Sequence, residues 1–144
     1  MGGGGLYGTV ADYARFIRML LNEGTADGSR VLKAETVKLM CRHAIGELRV
    51  MRLKTVLPQY SNDAEFFPGL PKGWAFIGQV NLEPAPTGRS AGSLQWAGLA
   101  NSYFWIDQSR GLGGVFLTQI LPFADKKALP LFEAFETEVY RTLG

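Results

Sequence analysis

Two runs with strand character, Ser93–Ala97 and Asn101–Asp107, lie three residues apart across a small-residue elbow at Ala97-Gly98. So short a spacer permits a hairpin and excludes a parallel crossover, which needs a dozen or more residues. The chain must therefore build an antiparallel sheet around the stretch from Arg89 to Asp107, RSAGSLQWAGLANSYFWID. Much of the aromatic content falls in the same stretch, which makes it the first place to look for a substrate contact.

The rest of the chain is read outward from this hairpin. Gly2 to Gly5 form a turn or linker; a phosphate loop would need a following Lys-Ser/Thr pair that is missing. Thr9 begins a helix, with Asp12 three residues on in a capping-box pattern. Val10, Tyr13, Ala14, Ile17, Leu20 and Leu21 recur at helical spacing, and Gly24 is placed to end the run. Asp27-Gly28 marks a turn. A second, poorly capped helix is expected over Ala34–His43, with Val37, Met40, Cys41 and Ala44 on one side. Ile45 to Thr55 is ambiguous. Leu57 to Gly73, with three prolines, two glycines and Phe66-Phe67, reads as a long ordered loop.

Trp74 to Leu82 alternates with Trp74, Phe76, Val80 and Leu82 on one face, as in a single strand. Leu112–Leu121 reads as a further strand, buried on both faces. A last helix is expected from about Lys127 to Leu143, with Pro130 in its first turn and Leu129, Phe132, Phe135, Val139 and Leu143 as its apolar face. The fold class is α+β: an antiparallel sheet covered by a C-terminal helix and preceded by helices. Residues 1–57 form the helical part, 58–73 the loop, and 74–144 the sheet with the terminal helix.

Composition sets the bounds. Of 144 residues, 47% are hydrophobic, enough for a substantial core. Fifteen basic against 13 acidic residues, interspersed, argue against a nucleic-acid or membrane-surface partner. No apolar run is long enough to span a bilayer. No signal peptide is visible, so a cytoplasmic location is the default expectation. The single cysteine, Cys41, excludes an internal disulfide and any cysteine-based metal site. The single histidine, His43, has no nucleophile beside it in sequence.

Three motifs invite over-reading. Gly88-Arg89-Ser90-Ala91-Gly92 fits G-x-S-x-G, but a nucleophile elbow needs a strand before it, a helix after it and a histidine downstream. Tyr60-Ser61-Asn62 fits Tyr-x-Asn but lies in a loop close to the hairpin. Ser-x-x-Lys, which activates a serine by a lysine one helical turn away, is missing at Ser29, Ser61, Ser90, Ser93, Ser102 and Ser109.

The sequence as a whole resembles the C-terminal part of esterases and hydrolases related to class C β-lactamases and penicillin-binding proteins. The segments that carry the resemblance are GGGGLYGTVADYARFIRMLLN, GSRVLKAETVKLM, NDAEFFPGLPKGWAF, APTGRSAGSLQWAGLANSYFWID and GGVFLTQILPFAD. Trp96-Ala97-Gly98 is similar to the Trp-x-Gly form that the esterase branch has in place of Lys-Thr-Gly. The resemblance implies that Trp96, Ala97 and Gly98 wall a substrate site, with small residues so that a carbonyl can approach the backbone. It further implies that the N–H of Leu99 is one of two oxyanion donors. Phe66 and Phe67 are candidate substrate contacts. Trp96 as a plain core aromatic is the alternative.

Trp96 in the lysine position favours neutral esters or amides over penicillins. No metal or organic cofactor is implied. The family's Ser-x-x-Lys would lie upstream of Met1, so this chain alone is expected to be inactive. Without those residues Leu112–Leu121 would expose an apolar sheet edge, open to a missing N-terminal portion or to self-association. The rival expectation is a non-catalytic binding or assembly module.

Overall fold

A computed structural model describes residues 5–143, so the expectation for Gly2–Gly4 falls outside the described residues. The first helix, α1, spans Val10–Leu21. Thr9 caps it in a reciprocal box: its hydroxyl accepts from the N–H of Asp12, and the Asp12 carboxylate accepts from the N–H of Thr9. The buried residues of α1 are Ile17, Met19 and Leu20, while Val10 is exposed. Asp27 and Gly28, both at positive φ, join the two-residue strands β1 (Thr25–Ala26) and β2 (Ser29–Arg30). That geometry matches the twist of a tight hairpin. Helix α2 spans Ala34–Cys41, two residues shorter than expected, and Lys33 makes no side-chain cap.

Five strands form the main antiparallel sheet in simple sequential order: β3 (Lys72–Ala75), β4 (Gly78–Asn81), β5 (Leu94–Gly98), β6 (Ser102–Asp107) and β7 (Leu112–Phe116). The single strand expected over Trp74–Leu82 is instead the β3–β4 hairpin, turning at Phe76-Ile77 with Ala75 opposite Gly78. Phe76 belongs to the exposed turn, not to an apolar sheet face. The strand expected over Leu112–Leu121 ends at Phe116, and its residues are half-buried, not buried on both faces. Beyond it the chain turns aside: the Ile120 N–H donates to the Ala100 carbonyl, and residues 117–127 wrap the end of the sheet.

Period-two alternation along β6 divides the core. Phe104 and Ile106 join Ile17, Leu20, Val37 and Leu94 beneath α1 and α2. Tyr103 and Trp105 join Phe66, Phe67, Phe132 and Tyr140 beneath the last helix, α3 (Ala128–Leu143). The sheet is thus covered on both faces. Gly113 and Gly114 make this possible in β7. A side chain on Gly113 would strike Ile17 of α1, and one on Gly114 would enter the Trp105 indole.

Helix α3 buries a face shifted from the one the sequence suggests: Phe132 is common to both, and Leu129 and Val139 pack at its margin. Ala128, Phe132, Glu136 and Tyr140 point inward at i, i+4 spacing, whereas Leu143 and Phe135 are exposed and Leu129 and Val139 half-buried. The helix rotates because Glu136 has a partner inside. Arg89, fully buried, forms a bidentate ion pair with Glu136, and the Thr87 hydroxyl donates to the same carboxylate. The Arg89 guanidinium also lies over the Phe67 ring, 5.1 Å from its centroid.

The two sheet edges differ. Along β3 the outer edge is occupied: the Ala44 N–H donates to the Trp74 carbonyl and the Val50 N–H to the Lys72 carbonyl. Among the described residues no backbone hydrogen bond joins β7 to any segment other than β6. No helix among them is long and apolar enough to cross a membrane.

Candidate active site

Strand β5 pairs with β6 along its whole length, from Leu94–Ile106 to Gly98–Ser102, but with β4 only at Leu94 and Gln95. Its last three residues, Trp96-Ala97-Gly98, therefore have a free flank. The loop to β6 is Leu99-Ala100-Asn101, closed by a bond from the Asn101 N–H to the Gly98 carbonyl at 3.0 Å. Asn101 takes the left-handed conformation at φ 59°, which ends three-residue hairpin loops.

Asn101 is the fixture of this end of the molecule, and sequence reasoning assigned it no such role. Its amide donates to the carbonyls of Ile120 and Pro122, both at 2.8 Å. Its side-chain oxygen accepts from the Tyr103 hydroxyl at 2.6 Å and the Asp125 N–H at 2.9 Å. The signal was an asparagine at the loop position that favours positive φ. Its distant partners had no local signature.

Trp96, Ala97 and Gly98 line a mainly apolar cleft of about 210 Å³ with Tyr13, Ser102, Tyr103, Phe104, Val115 and Leu117. A wider groove of about 510 Å³, bounded by Leu6–Thr9, Asp12, Phe16 and Leu117–Gln119, adjoins it through Tyr13, Ser102 and Leu117. Burial raises the pKa of Tyr13 above the ordinary phenol value, so its hydroxyl stays protonated at neutral pH. Leu99 follows Gly98 in the chain but is not among the residues that line the cleft or the groove; it is 56% exposed, and among the described residues its N–H donates to no protein acceptor.

Phe66 and Phe67 do not reach the cleft surface. They are 4% and 7% exposed; Phe66 backs Trp96 with ring centroids 6.4 Å apart, and Phe67 lies under Arg89. Their place in an aromatic core under α3 explains why a loop carries two adjacent phenylalanines.

The hydroxyls of Ser61, Ser93 and Ser102 are each engaged by a structural partner. The Ser102 hydroxyl donates to the Thr118 carbonyl and accepts from the Thr118 N–H. Ser93 donates to Asn81, and Ser61 to the Asn62 carbonyl. The N–H of Ser90 donates to Asp107, a turn contact. Tyr60 and Asn62 are stitched by backbone bonds to Phe123, which gives Tyr60-Ser61-Asn62 a structural role. Lys72 is 3% exposed, and burial lowers its pKa against the opposing pull of Glu65. Its ammonium donates to the carbonyls of Phe67 and Leu70, so it pins the loop and activates nothing. No cluster of metal-ligating side chains occurs among the described residues.

The cleft is walled by the end of β5 and has one serine in its lining, Ser102, whose hydroxyl is bonded to Thr118. The family model described as Beta-lactamase matches residues 1–136. The chain belongs to the beta-lactamase family. Two curated relatives of this beta-lactamase family member, Protein Rv1367c and Uncharacterized protein MT1414, come from two strains of Mycobacterium tuberculosis. Each is 36% identical over 128 residues, 83% of this chain, and the chain spans 29% of the length of each.

Among solved structures, unliganded simvastatin synthase (LovD) from Aspergillus terreus superposes with a TM-score of 0.68 at 24% identity, over 90% of this chain and 33% of LovD. A penicillin-binding protein homologue from Caulobacter crescentus gives 0.55 at 18% identity, over 86% of this chain and 30% of its own. These likenesses establish the fold, that of β-lactamase- and transpeptidase-like proteins.

Proposed function

We propose that this chain is part of a serine hydrolase of the esterase branch of the family, which acts on a neutral ester or amide by forming an acyl-enzyme. The observation that carries the reading is the end of β5: Trp96-Ala97-Gly98 walls a mainly apolar cleft, and the next N–H in the chain, that of the exposed Leu99, has no protein acceptor among the described residues. A substrate carbonyl laid along Gly98 would meet that N–H. The donor would then stabilise the oxyanion that develops in the tetrahedral transition state. A serine made nucleophilic by a lysine one turn away would attack the carbonyl, expel the alcohol or amine, and yield to water in deacylation. No Ser-x-x-Lys occurs in these 144 residues, so that pair belongs to polypeptide outside them.

The absence of a cation at Trp96 and the apolar cleft lining favour an acyl group without a carboxylate. Phe66 enters through Trp96, as a support for the wall. The free edge of β7 is the proposed docking line for the complementary polypeptide or for a second copy.

The test is turnover of a p-nitrophenyl ester and of a chromogenic cephalosporin, by the chain alone and mixed with a polypeptide that carries the Ser-x-x-Lys pair. Ester turnover in the mixture only is the expected result. Turnover by the chain alone would overturn the account of the nucleophile, and none in either would favour the binding module.

A further inference from the structure

The chain's one histidine touches neither serine nor cleft, yet both of its ring nitrogens are engaged. Nε2 lies 2.9 Å from the Gly46 carbonyl and Nδ1 3.3 Å from the Trp74 backbone nitrogen. A carbonyl can only accept and an N–H only donate, so these two bonds require Nε2 as the donor and Nδ1 as the acceptor. The imidazole thus takes the place of a strand carbonyl on the outer edge of β3, while the Ala44 N–H satisfies the Trp74 carbonyl beside it. The ring presses against the Gly73 backbone so closely that a Cβ there would lie 2.1 Å from Nδ1.

Trp74, held in this way, sets its indole edge-to-face on Trp96, with centroids 4.4 Å apart and planes at 81°. The contact falls where β5 has lost its ladder to β4, because Trp96 has no backbone partner on that side. On the flank away from β6, side chains alone then meet Trp96, Trp74 foremost and Phe66 more distantly at 6.4 Å.

We infer that His43 is a positioning residue for the cleft: by fixing Trp74 it fixes Trp96, and so sets the width available to the acyl group. This rests on the acyl-transfer reading for its consequence in selectivity, but not for its geometry. Removal of the imidazole acceptor frees the Trp74 N–H and the end of β3. The Trp96 indole then gains alternative rotamers, and the cleft loses its fit to compact apolar acyl chains.

The experiment compares the full chain with His43→Ala and His43→Asn, the latter because its side-chain oxygen can take the position of Nδ1. Two readouts follow: the exciton couplet of the Trp74–Trp96 pair in circular dichroism, assigned by its loss in Trp96→Phe, and quenching of tryptophan fluorescence by p-nitrophenyl butyrate. His43→Ala is expected to lose at least about half of the couplet and to weaken apparent affinity by about five-fold, the scale of one aromatic pair contact. His43→Asn is expected to restore both.

A wild-type couplet in folded His43→Ala overturns the inference, and so does a His43→Asn chain that is folded but as impaired as His43→Ala. If His43→Ala does not fold, the asparagine variant decides alone, by retention or loss of couplet and quenching. Failure of the acyl-transfer reading is seen separately, as absence of ester turnover in the mixture with an unchanged couplet.

Discussion

Gly98 and Leu99 carry different parts of the functional reading, and each can be tested without harm to the fold. A Cβ on Gly98 would meet nothing closer than the Ser102 Cβ at 3.9 Å. Gly98→Ala should therefore fold with a stability change within about 0.5 kcal/mol, as at a site without packing conflict. It should nonetheless cut ester turnover in the reconstituted mixture by roughly ten-fold or more, because the added methyl occupies the carbonyl's approach. Leu99 is the second residue of a four-residue turn closed on Gly98, a position that accepts proline. Leu99→Pro deletes the N–H and should lower kcat by about 10²–10³. An unchanged kcat in a folded Leu99→Pro chain would remove Leu99 from the oxyanion hole. Cys41 gives a control at the same scale. Burial pushes its thiol up to about 11, so iodoacetamide should leave it unmodified at neutral pH until denaturant exposes it.

Among the elements, α3 depends on a buried charge and an exposed cap. Glu136→Ala would leave Arg89 buried without its carboxylate, and chemical denaturation should show a loss of about 3–5 kcal/mol. At the other end, the Asp125 carboxylate accepts from the N–H groups of Ala128 and Lys127, which lowers its pKa below 3.8. A carboxylate whose folded pKa is depressed stabilises the fold above its unfolded pKa. That contribution is lost as pH falls through the folded value. Melting temperature should accordingly fall on acidification below about pH 4, and the acid limb should be shallower in Asp125→Asn, which keeps an acceptor but no titrating group. Identical acid limbs in the two chains would show that the cap is not engaged in solution.

Among the described residues the sheet is covered on both faces and along β3, while β7 has no backbone partner beyond β6. The segment that follows β7 carries Leu117, Ile120 and Leu121, each at least 40% exposed. A strand without a partner on its outer edge favours association, as sheet edges do unless covered or charged. Light scattering should find the isolated chain larger than a monomer, and the complementary polypeptide should replace self-association by a defined heterodimer. A monodisperse monomer that binds no hydrophobic dye would count against this use of β7.

The order of elements was legible because it rests on local physics: the Thr9–Asp12 box, the Asp27-Gly28 turn, the short spacer before Asn101 and the alternation of β6 each act within a few residues. The candidate wall at Trp96-Ala97-Gly98 came instead from the resemblance to the family's Trp-x-Gly form. What local physics could not supply were choices between equally periodic alternatives. Trp74–Leu82 alternates as well for one strand as for a hairpin. It turns at Phe76-Ile77, and Gly78 just after the turn lies so close to the β5 backbone that a Cβ there would meet the Gln95 carbonyl. The inward face of α3 was decided by Arg89, 47 residues away, since a buried guanidinium demands a carboxylate whatever the apolar count of the helix. Phe66 and Phe67 read equally well as ligand contacts or as core, and only the packing of Phe132 and Tyr140 against the sheet placed them inside. The sequence by itself determined that Arg89–Asp107 makes a hairpin ending in small residues. The tertiary structure decided that this hairpin ends at a cleft, and that His43, through Trp74, stands behind its wall.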